Sequence, residues 1–138
     1  IRSIARLQEI RSGKLKNICK DSRLYLDGSH NPLGAKALNE YLNTLDCKKH
    51  LILGMMSNKD HEEYLSKFNN ISSITTIDIP NQPNAISGEE LKKKLNKYPN
   101  INYKKSIEEA LISLSQGKDD LIMITGSLYL AGELLNLN

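Results

Sequence analysis

The sequence alternates between short apolar segments and longer segments with helical periodicity. The apolar segments have the length of strands, and each precedes a helical segment: 24–26, 51–54, 71–80, 100–104 and 121–125. Strands that alternate with helices form a mostly parallel sheet through right-handed crossovers. The pattern therefore predicts an α/β, Rossmann-like fold, with helices on both faces of the sheet and residues 1–138 in a single domain. Residues 1–17 lack clear periodicity and are predicted to be a linker.

The composition restricts the class of partner. The 138 residues are 39% hydrophobic and 25% charged, and the net charge is only +3. No apolar run approaches the length that crosses a membrane. Aromatic residues make up 5% and the lysines are scattered, so stacking on nucleic-acid bases is poorly supported. We expect neither a membrane nor a nucleic acid as partner.

The cysteines and histidines do not form a metal motif. Cys19 and Cys47 lie 28 positions apart, and the chain has three histidines without the spacing of zinc ligands. We therefore expect no metal site in this chain. Free thiols are typical of a reducing compartment, which predicts a cytoplasmic protein.

Three polar loops follow predicted strands, at residues 27–31, 57–60 and 126–127. Carboxyl ends of parallel strands meet at one edge of a sheet, where α/β folds bind ligands. We therefore expect Asp27, Lys59 and Ser127 to face a common cleft at this edge. This convergence is the strongest indication of a site that the residues alone provide.

The first loop combines a carboxylate with a helix start. Asn31 fits an N-cap and Pro32 fits the first helical position. Asp27 can accept hydrogen bonds from ribose hydroxyls, while His30 and the free amides of the helix face charged groups. Alternatively, Asp27 and Asn31 only stabilise the turn and His30 is exposed. The residues alone do not separate these interpretations.

The other two loops offer one candidate each. Lys59 can hold a substrate carboxylate from its strand-end loop, or it is an ordinary exposed lysine. Gly126 permits a tight turn, after which Ser127 can present its hydroxyl or amide to an anion. Ser127 can equally be only the N-cap of the last helix.

Four segments resemble one enzyme family. Residues 27–32 read DGSHNP and resemble the D-x-A-H-N-P motif of folylpolyglutamate and dihydrofolate synthases, with Ser29 in place of the usual Ala. Residues 53–60 resemble the family's G-x-x-x-D-K-D loop with Asn58 for Asp, and residues 126–129 match G-S-L-Y. Residues 5–8 resemble P-G-R-x-[EQ], although Ile4 and Ala5 replace Pro and Gly. The resemblance implies the C-terminal domain of a Mur ligase superfamily enzyme.

The resemblance also implies a reaction and residue roles. ATP would phosphorylate the carboxylate of a folate or dihydropteroate, and the amine of L-glutamate would attack the acyl phosphate to give an amide. Asp27 would bind the ATP ribose and Arg6 the phosphates. By analogy with the wider superfamily, His30, Lys59 and Ser127 would approach the glutamate or the acyl phosphate.

Some of the required machinery is absent from the sequence. It contains no G-x-x-x-x-G-K-[ST] phosphate loop, no carboxylate pair placed for a metal and no convincing nucleophile beside a base. In the family, the phosphate loop and the Mg²⁺ ligands lie in a larger N-terminal ATPase domain. Because the chain begins at Ile1, we expect an excised domain or fragment that is inactive alone and partners that ATPase domain.

Two other interpretations remain open. The chain could be the corresponding domain of a cell-wall Mur ligase, which adds a different amino acid and typically lacks His-Asn-Pro in this loop. It could also be a non-catalytic nucleotide-binding module that needs no second domain. A phosphate loop encoded upstream in frame would favour a ligase. The sequence does not distinguish dihydropteroate from reduced folates as acceptors.

Overall fold

The apolar segments form a β-sheet in the structure, a computed structural model that describes residues 7–115 and 117–138. Its strands are β1 (Gln8–Ile10), β2 (Arg23–Asp27), β3 (Lys49–Leu53), β4 (Ser73–Thr76), β5 (Ile101–Tyr103) and β6 (Leu121–Thr125). The helices are α1 (Lys14–Ile18), α2 (Pro32–Leu42), α3 (His61–Ser66), α4 (Gly88–Lys94), α5 (Ile107–Leu114) and α6 (Leu128–Leu137).

The sheet is parallel except at one edge. Its strand order is β1-β2-β6-β3-β4-β5, and only the β1–β2 pairing is antiparallel among the described strands. Asp27 pairs with Thr125, which pairs with Leu53 on its other side. The carboxyl ends of β2, β6 and β3 are therefore level. The predicted α/β fold and the shared carboxyl edge of the three polar loops are both confirmed.

The central strand β6 divides the core into two halves. All five of its residues are buried, and their side chains alternate between the faces. Ile122 and Ile124 pack in a cluster with residues of α1, α5 and α6, whereas Leu121 and Met123 pack with residues of α2, α3 and α4. Burial of each large aliphatic side chain contributes about 1.5–3 kcal/mol. Helices on both faces are thus confirmed.

The predicted linker is wrong. Within residues 1–17, the described part contains β1 and the beginning of α1. Ile10 and Leu15 are buried at 4% and 0% exposure, so this segment belongs to the core. Three strand residues and five helical residues are too few to show a hydrophobic period. Elements this short form because tertiary packing stabilises them, not because of local propensity.

The strand predicted at residues 71–80 is too long. β4 ends at Thr76, although Ile77 and Ile79 remain buried. The side chain of Asp78 accepts hydrogen bonds from the Gly88 amide at 2.7 Å and from the Tyr103 hydroxyl at 2.9 Å. These bonds hold the chain in a loop over α4 and β5. Apolar β-branched residues there fill the core without extending the β4–β5 ladder.

Side-chain caps define where the longer helices begin. A polar side chain accepts a hydrogen bond from a first-turn amide of each helix from α2 to α6; the capping residues are Asn31, Asp60, Ser87, Ser106 and Ser127. Each cap typically contributes about 1 kcal/mol. No helix in the described ranges is long and apolar enough to cross a membrane.

Two loops at the carboxyl edge touch through their backbones. Gly126 follows β6 with a φ of +116°, and a Cβ atom there would overlap the carbonyl oxygen of Gly54. The Gly54 amide donates to Thr125 O at 3.3 Å, and the Gly126 amide donates to Ser29 O at 3.1 Å. The loops after β2, β3 and β6 are therefore held together by main-chain bonds that leave no room for a side chain at Gly126.

Gly126→Ala should lower the free energy of unfolding by about 2 kcal/mol or more, because it adds backbone strain and a steric overlap. Urea unfolding followed by circular dichroism measures the change. Gly132→Ala is the matched control: it lies in α6 with open space around its Cα. That control should raise stability by up to ~1 kcal/mol. Equal effects of the two substitutions would contradict the predicted overlap.

Candidate functional site

A cavity of about 540 Å³ opens at the carboxyl edge beside the first polar loop. One wall is the loop itself and the other is an apolar surface formed largely by α2. The lining residues are Leu7, Asp27, Gly28, Ser29, His30, Asn31, Gly34, Ala37, Leu38, Tyr41 and Leu128. A concave site with a few polar groups on one side and apolar groups on the other suits a ligand with a polar part and a flat apolar part. We call it the Asp27 cavity.

Asp27 is both a turn residue and a cavity residue. It is the last residue of β2, is half-buried, and its Oδ1 accepts a hydrogen bond from the Ser29 amide at 2.8 Å. This bond fixes the orientation of the carboxylate. The two roles left open by the sequence are therefore compatible, since the carboxylate stabilises the turn and lines the cavity.

His30 and Asn31 complete the loop. His30 is half-buried and lines the cavity, with Nδ1 3.3 Å from the Gly28 carbonyl oxygen. When Nδ1 donates this bond, Nε2 is left as an acceptor in the neutral ring. Asn31 is the predicted N-cap, because its Oδ1 accepts from the Gly34 amide at 2.8 Å. The first turn of α2 is thereby fixed against the loop.

A buried tyrosine supports the loop from below. Tyr64 of α3 is fully buried, and its Oη lies 2.9 Å from both Ser29 Oγ and Thr125 Oγ1 and 3.2 Å from Ser29 O. Burial raises the pKa of Tyr64 to about 12, against the opposing effect of the hydrogen bonds with Ser29 and Thr125, so it is a neutral phenol at pH 7.

Sequence reasoning missed this network. Tyr64 is identifiable from its helical spacing as a core residue, and the Ser29 position is notable only because the family usually has Ala there. The available signal was that a buried tyrosine hydroxyl needs a partner. The partners come from two other elements, the loop after β2 and the end of β6, so spacing along the chain does not reveal them.

Lys59 lies on the same edge but lines other cavities. One, of about 460 Å³, is lined by Met56, Ser57, Asn58, Lys59, Asn84 and Tyr129. Another, of about 540 Å³, is lined by Asn58, Lys59, Asp60, His61, Glu62 and Lys94. The expected common cleft is therefore wrong in detail: Asp27 and Lys59 share an edge of the sheet but face separate cavities.

Ser127 is occupied as a helix cap. It is 1% exposed, and its Oγ accepts from the Tyr129 and Leu130 amides at 3.0 and 3.4 Å. It does not line any of the three cavities, whereas its neighbours Leu128 and Tyr129 each line one. The remaining candidate, Arg6, lies outside the described residues.

A serine–histidine–aspartate chain occurs at the opposite edge. His50 Nδ1 lies 2.6 Å from Ser73 Oγ, and His50 Nε2 lies 2.9 Å from Asp120 Oδ2. This arrangement is not recognisable from the sequence, because the three residues are far apart in the chain. None of them lines a cavity described above. We interpret the chain of bonds as a structural link between the starts of β3, β4 and β6.

Comparison with known proteins gives a family and a fold. The family model for the Mur ligase, glutamate ligase domain, matches residues 6–128. No curated protein sequence matches the chain. Among solved structures, folylpolyglutamate synthase from Mycobacterium tuberculosis, complexed with ADP and AMPPCP, has a TM-score of 0.80 at 22% identity. The alignment covers 96% of this chain and 31% of that one.

Two further structures have the same fold. Folylpolyglutamate synthase from Thermotoga maritima has a TM-score of 0.77 at 23% identity, covering 96% of this chain and 30% of that one. Bifunctional folylpolyglutamate synthase/dihydrofolate synthase from Yersinia pestis, with Mn, AMPPNP and L-glutamate bound, has a TM-score of 0.69 at 21% identity, covering 84% and 29%. The chain spans less than a third of the length of these structures.

Tyr64→Phe should lower the free energy of unfolding by about 1–3 kcal/mol, because it removes the hydroxyl shared by Ser29 and Thr125. Ser29→Ala should cost less, since Tyr64 retains Thr125 and the Ser29 carbonyl as partners. A double-mutant cycle by urea unfolding should give a combined cost smaller than the sum. Additive costs would show that the two hydroxyls are not coupled.

Proposed function

This chain belongs to the family of Mur ligase glutamate ligase domains, and we propose that it is the C-terminal, nucleotide- and glutamate-binding domain of an ATP-dependent ligase. The proposed enzyme adds L-glutamate to a folate or to dihydropteroate through an acyl phosphate. The observation that carries the proposal is the Asp27 cavity, placed at the level carboxyl ends of β2, β6 and β3. Folylpolyglutamate synthases among the structural relatives favour a folate acceptor over a cell-wall precursor.

The proposed reaction depends on position and charge. A carboxylate oxygen of the acceptor attacks the γ-phosphorus of ATP, ADP leaves, and an acyl phosphate forms. The uncharged amine of glutamate then attacks the acyl carbon, phosphate leaves, and the nitrogen loses a proton to give the amide. Such steps are accelerated by holding the reactants in line and by stabilising negative charge rather than by a nucleophilic side chain.

The Asp27 cavity is proposed to hold the nucleoside. The Asp27 carboxylate lines the cavity and is oriented by the Ser29 amide, and it is proposed to accept hydrogen bonds from the ribose hydroxyls. The apolar wall, which includes Tyr41 and Leu128, offers a surface for the purine ring. His30 lines the same cavity and is proposed to contact the phosphate end, as is Arg6.

Lys59 is proposed to hold a carboxylate of the incoming glutamate, because it carries a positive charge and lines two cavities on the same edge. Ser127 is proposed to act indirectly. Its hydroxyl caps α6 and so sets the position of Leu128 and Tyr129, which line cavities. It is thus a positioning residue rather than one that contacts the reacting atoms.

The divalent metal and the phosphate loop are proposed to belong to another domain. The sequence has no phosphate-loop motif. Within residues 7–115 and 117–138, no three His, Cys, Asp or Glu side chains come together as metal ligands. An N-terminal ATPase domain of the same enzyme would supply both.

Cys19 and Cys47 are free thiols, which fits a reducing cytoplasm.

The decisive experiment assays the complete gene product that carries this chain. With ATP, Mg²⁺ and L-glutamate, it should extend dihydropteroate or tetrahydrofolate by one glutamate and release one ADP per amide. The 138-residue chain alone should leave ATP intact under the same conditions. Mass spectrometry of the acceptor and a coupled ADP assay give the two readouts. Rapid ATP hydrolysis by the isolated chain would contradict the proposal that a second domain supplies the phosphate loop and the metal.

Asp27→Asn in the complete enzyme should raise the KM for ATP about tenfold or more, the effect of losing roughly 1.5–3 kcal/mol of hydrogen bonding to a charged group. The amide oxygen can still accept from the Ser29 amide, so the turn should be retained, and urea unfolding checks that the variant is folded. Asp46→Asn removes an exposed carboxylate outside the cavity and is the matched control. An unchanged KM for ATP would remove Asp27 from the nucleotide site.

A further inference from the structure

The first polar loop contains one departure from the family motif, since Ser29 stands where Ala is usual. We propose that Ser29 and Tyr64 are positioning residues for the nucleotide, which orient the Asp27 carboxylate through a buried cluster of hydroxyl groups. The inference rests on the proposed function, which it deepens. It gives a part in nucleotide recognition to a residue that departs from the motif and to a core residue of α3.

Ser29 is hydrogen-bonded through all of its polar atoms. Its amide donates to Asp27 Oδ1 at 2.8 Å, and its carbonyl oxygen accepts from the Gly126 amide at 3.1 Å and from Tyr64 Oη at 3.2 Å. Its hydroxyl lies 2.9 Å from Tyr64 Oη and 3.3 Å from Thr125 Oγ1. The residue that orients the Asp27 carboxylate is therefore itself fixed to α3 and to the end of β6.

The hydroxyl groups of Ser29, Tyr64 and Thr125 form a cluster in which each has a partner. Tyr64 Oη can donate to the Ser29 carbonyl oxygen and accept from the Ser29 and Thr125 hydroxyls, each 2.9 Å away. Tyr64 and Thr125 are both fully buried. Because hydrogen bonds in a buried site strengthen one another, the loss of one hydroxyl from this cluster leaves its partners incompletely satisfied.

The other side of Ser29 packs against α2. A Cβ atom added to Gly34 would lie 2.7 Å from Ser29 Cβ, so the first turn of α2 lies directly against the loop. In the same turn, Asn31 Oδ1 accepts from the Gly34 amide at 2.8 Å. The Ser29 side chain thus lies between α2 and Tyr64, and the loop cannot shift without breaking one of these close contacts.

Tyr64 is near Asp27 but does not reach the cavity. Burial is the first cause of the raised pKa of Tyr64, and the negative charge of Asp27 also raises this pKa. Asp27 and Ser29 line the Asp27 cavity, whereas Tyr64 is fully buried and does not line it. Tyr64 can therefore affect a bound nucleotide only through the residues it holds, and Ser29 is the one that bonds to the carboxylate.

The carboxylate benefits from being held in one direction. A carboxylate that is oriented before the ligand arrives loses less conformational freedom on binding than one that must be ordered by the ligand. Loss of the Ser29 or Tyr64 hydroxyl frees the Asp27 loop on one side. It should therefore weaken the hydrogen bonds to the ribose hydroxyls more than any other contact of the nucleotide.

The test compares ATP with 2′,3′-dideoxy-ATP, which lacks both ribose hydroxyls, in steady-state kinetics of the complete gene product. The ratio of kcat/KM for ATP to that for the dideoxy analogue is called the hydroxyl preference. In the wild type it should be about tenfold or more, the effect of hydrogen bonds to a charged group. Asp27→Ala, the reference for a lost contact, should abolish it.

Ser29→Ala and Tyr64→Phe should each lower the hydroxyl preference about threefold or more, while the KM for L-glutamate stays within about twofold. Thr76→Val is the matched control, because it also removes a buried hydroxyl at the carboxyl end of a strand, one that donates to Gly88 O at 2.7 Å. Its hydroxyl preference should equal that of the wild type.

Urea unfolding checks that each variant is folded. Ser29→Ala leaves Tyr64 with the Thr125 hydroxyl and the Ser29 carbonyl as partners, so this variant carries the test alone if Tyr64→Phe is unfolded. A change in stability without a change in hydroxyl preference is the result expected of a purely structural residue, and it would overturn the inference.

The remaining outcomes separate this inference from the proposed function. An active wild-type enzyme whose hydroxyl preference falls equally in Thr76→Val would overturn the inference alone, because the loss would then reflect a general loosening of the sheet edge. An active wild type without any hydroxyl preference would remove Asp27 from the ribose, and the positioning role with it. A wild type that forms no glutamate-dependent product would overturn the proposed function and this inference together.

Discussion

The pairing of β6 between β2 and β3 is the interaction on which the rest of the structure depends. The register places Asp27, Thr125 and Leu53 side by side, so three loops leave the sheet at one level. Both halves of the core pack against β6, and the bonds among the Ser29, Gly54, Thr125 and Gly126 backbones follow from the same register. A slip of one residue would turn every side chain of β6 to the wrong face and separate the loops.

Among the described residues, the carboxyl edge carries three separate cavities rather than one cleft, and a buried network links α3 to the Asp27 loop. Tyr64 belongs to α3, the helix that follows the Lys59 loop, and its hydroxyl bonds to Ser29 in the Asp27 loop and to Thr125 at the end of β6. The loop proposed for the nucleotide is therefore bonded to the helix that directly follows the loop proposed for the amino acid. This bond ties the two elements together, and a reaction between two bound substrates requires such fixed positions.

Local signals predicted the features that depend on local physics. The all-apolar run of β6 and the Asn31 cap before Pro32 are visible in the sequence, since a buried parallel strand and a helix start each have a composition of their own. β1 and α1 were missed because they are short and depend on partners far along the chain. The sharing of an edge was predictable from topology, and the Ser127 cap was one of two roles that the sequence left open. The separation of Lys59 from Asp27 and the partners of Tyr64 are determined by tertiary contacts. The fold and the shared carboxyl edge of the three loops could thus be predicted from the sequence, but the contacts of the individual side chains could not.

The two outermost strands of the sheet have a further consequence. β1 and β5 are each three residues long, and β1 runs against the direction of the others. The outermost strand of a sheet has unpaired backbone amides and carbonyls that can bond to a strand of another molecule. Aggregation by such pairing is favoured when the edge strand is long and flat. Here each border presents only a few such groups, and the β1 border also carries an ion pair between Glu9 and Arg11. Both edge strands are therefore short, which limits pairing with strands of other molecules and so protects the sheet against amyloid-like aggregation.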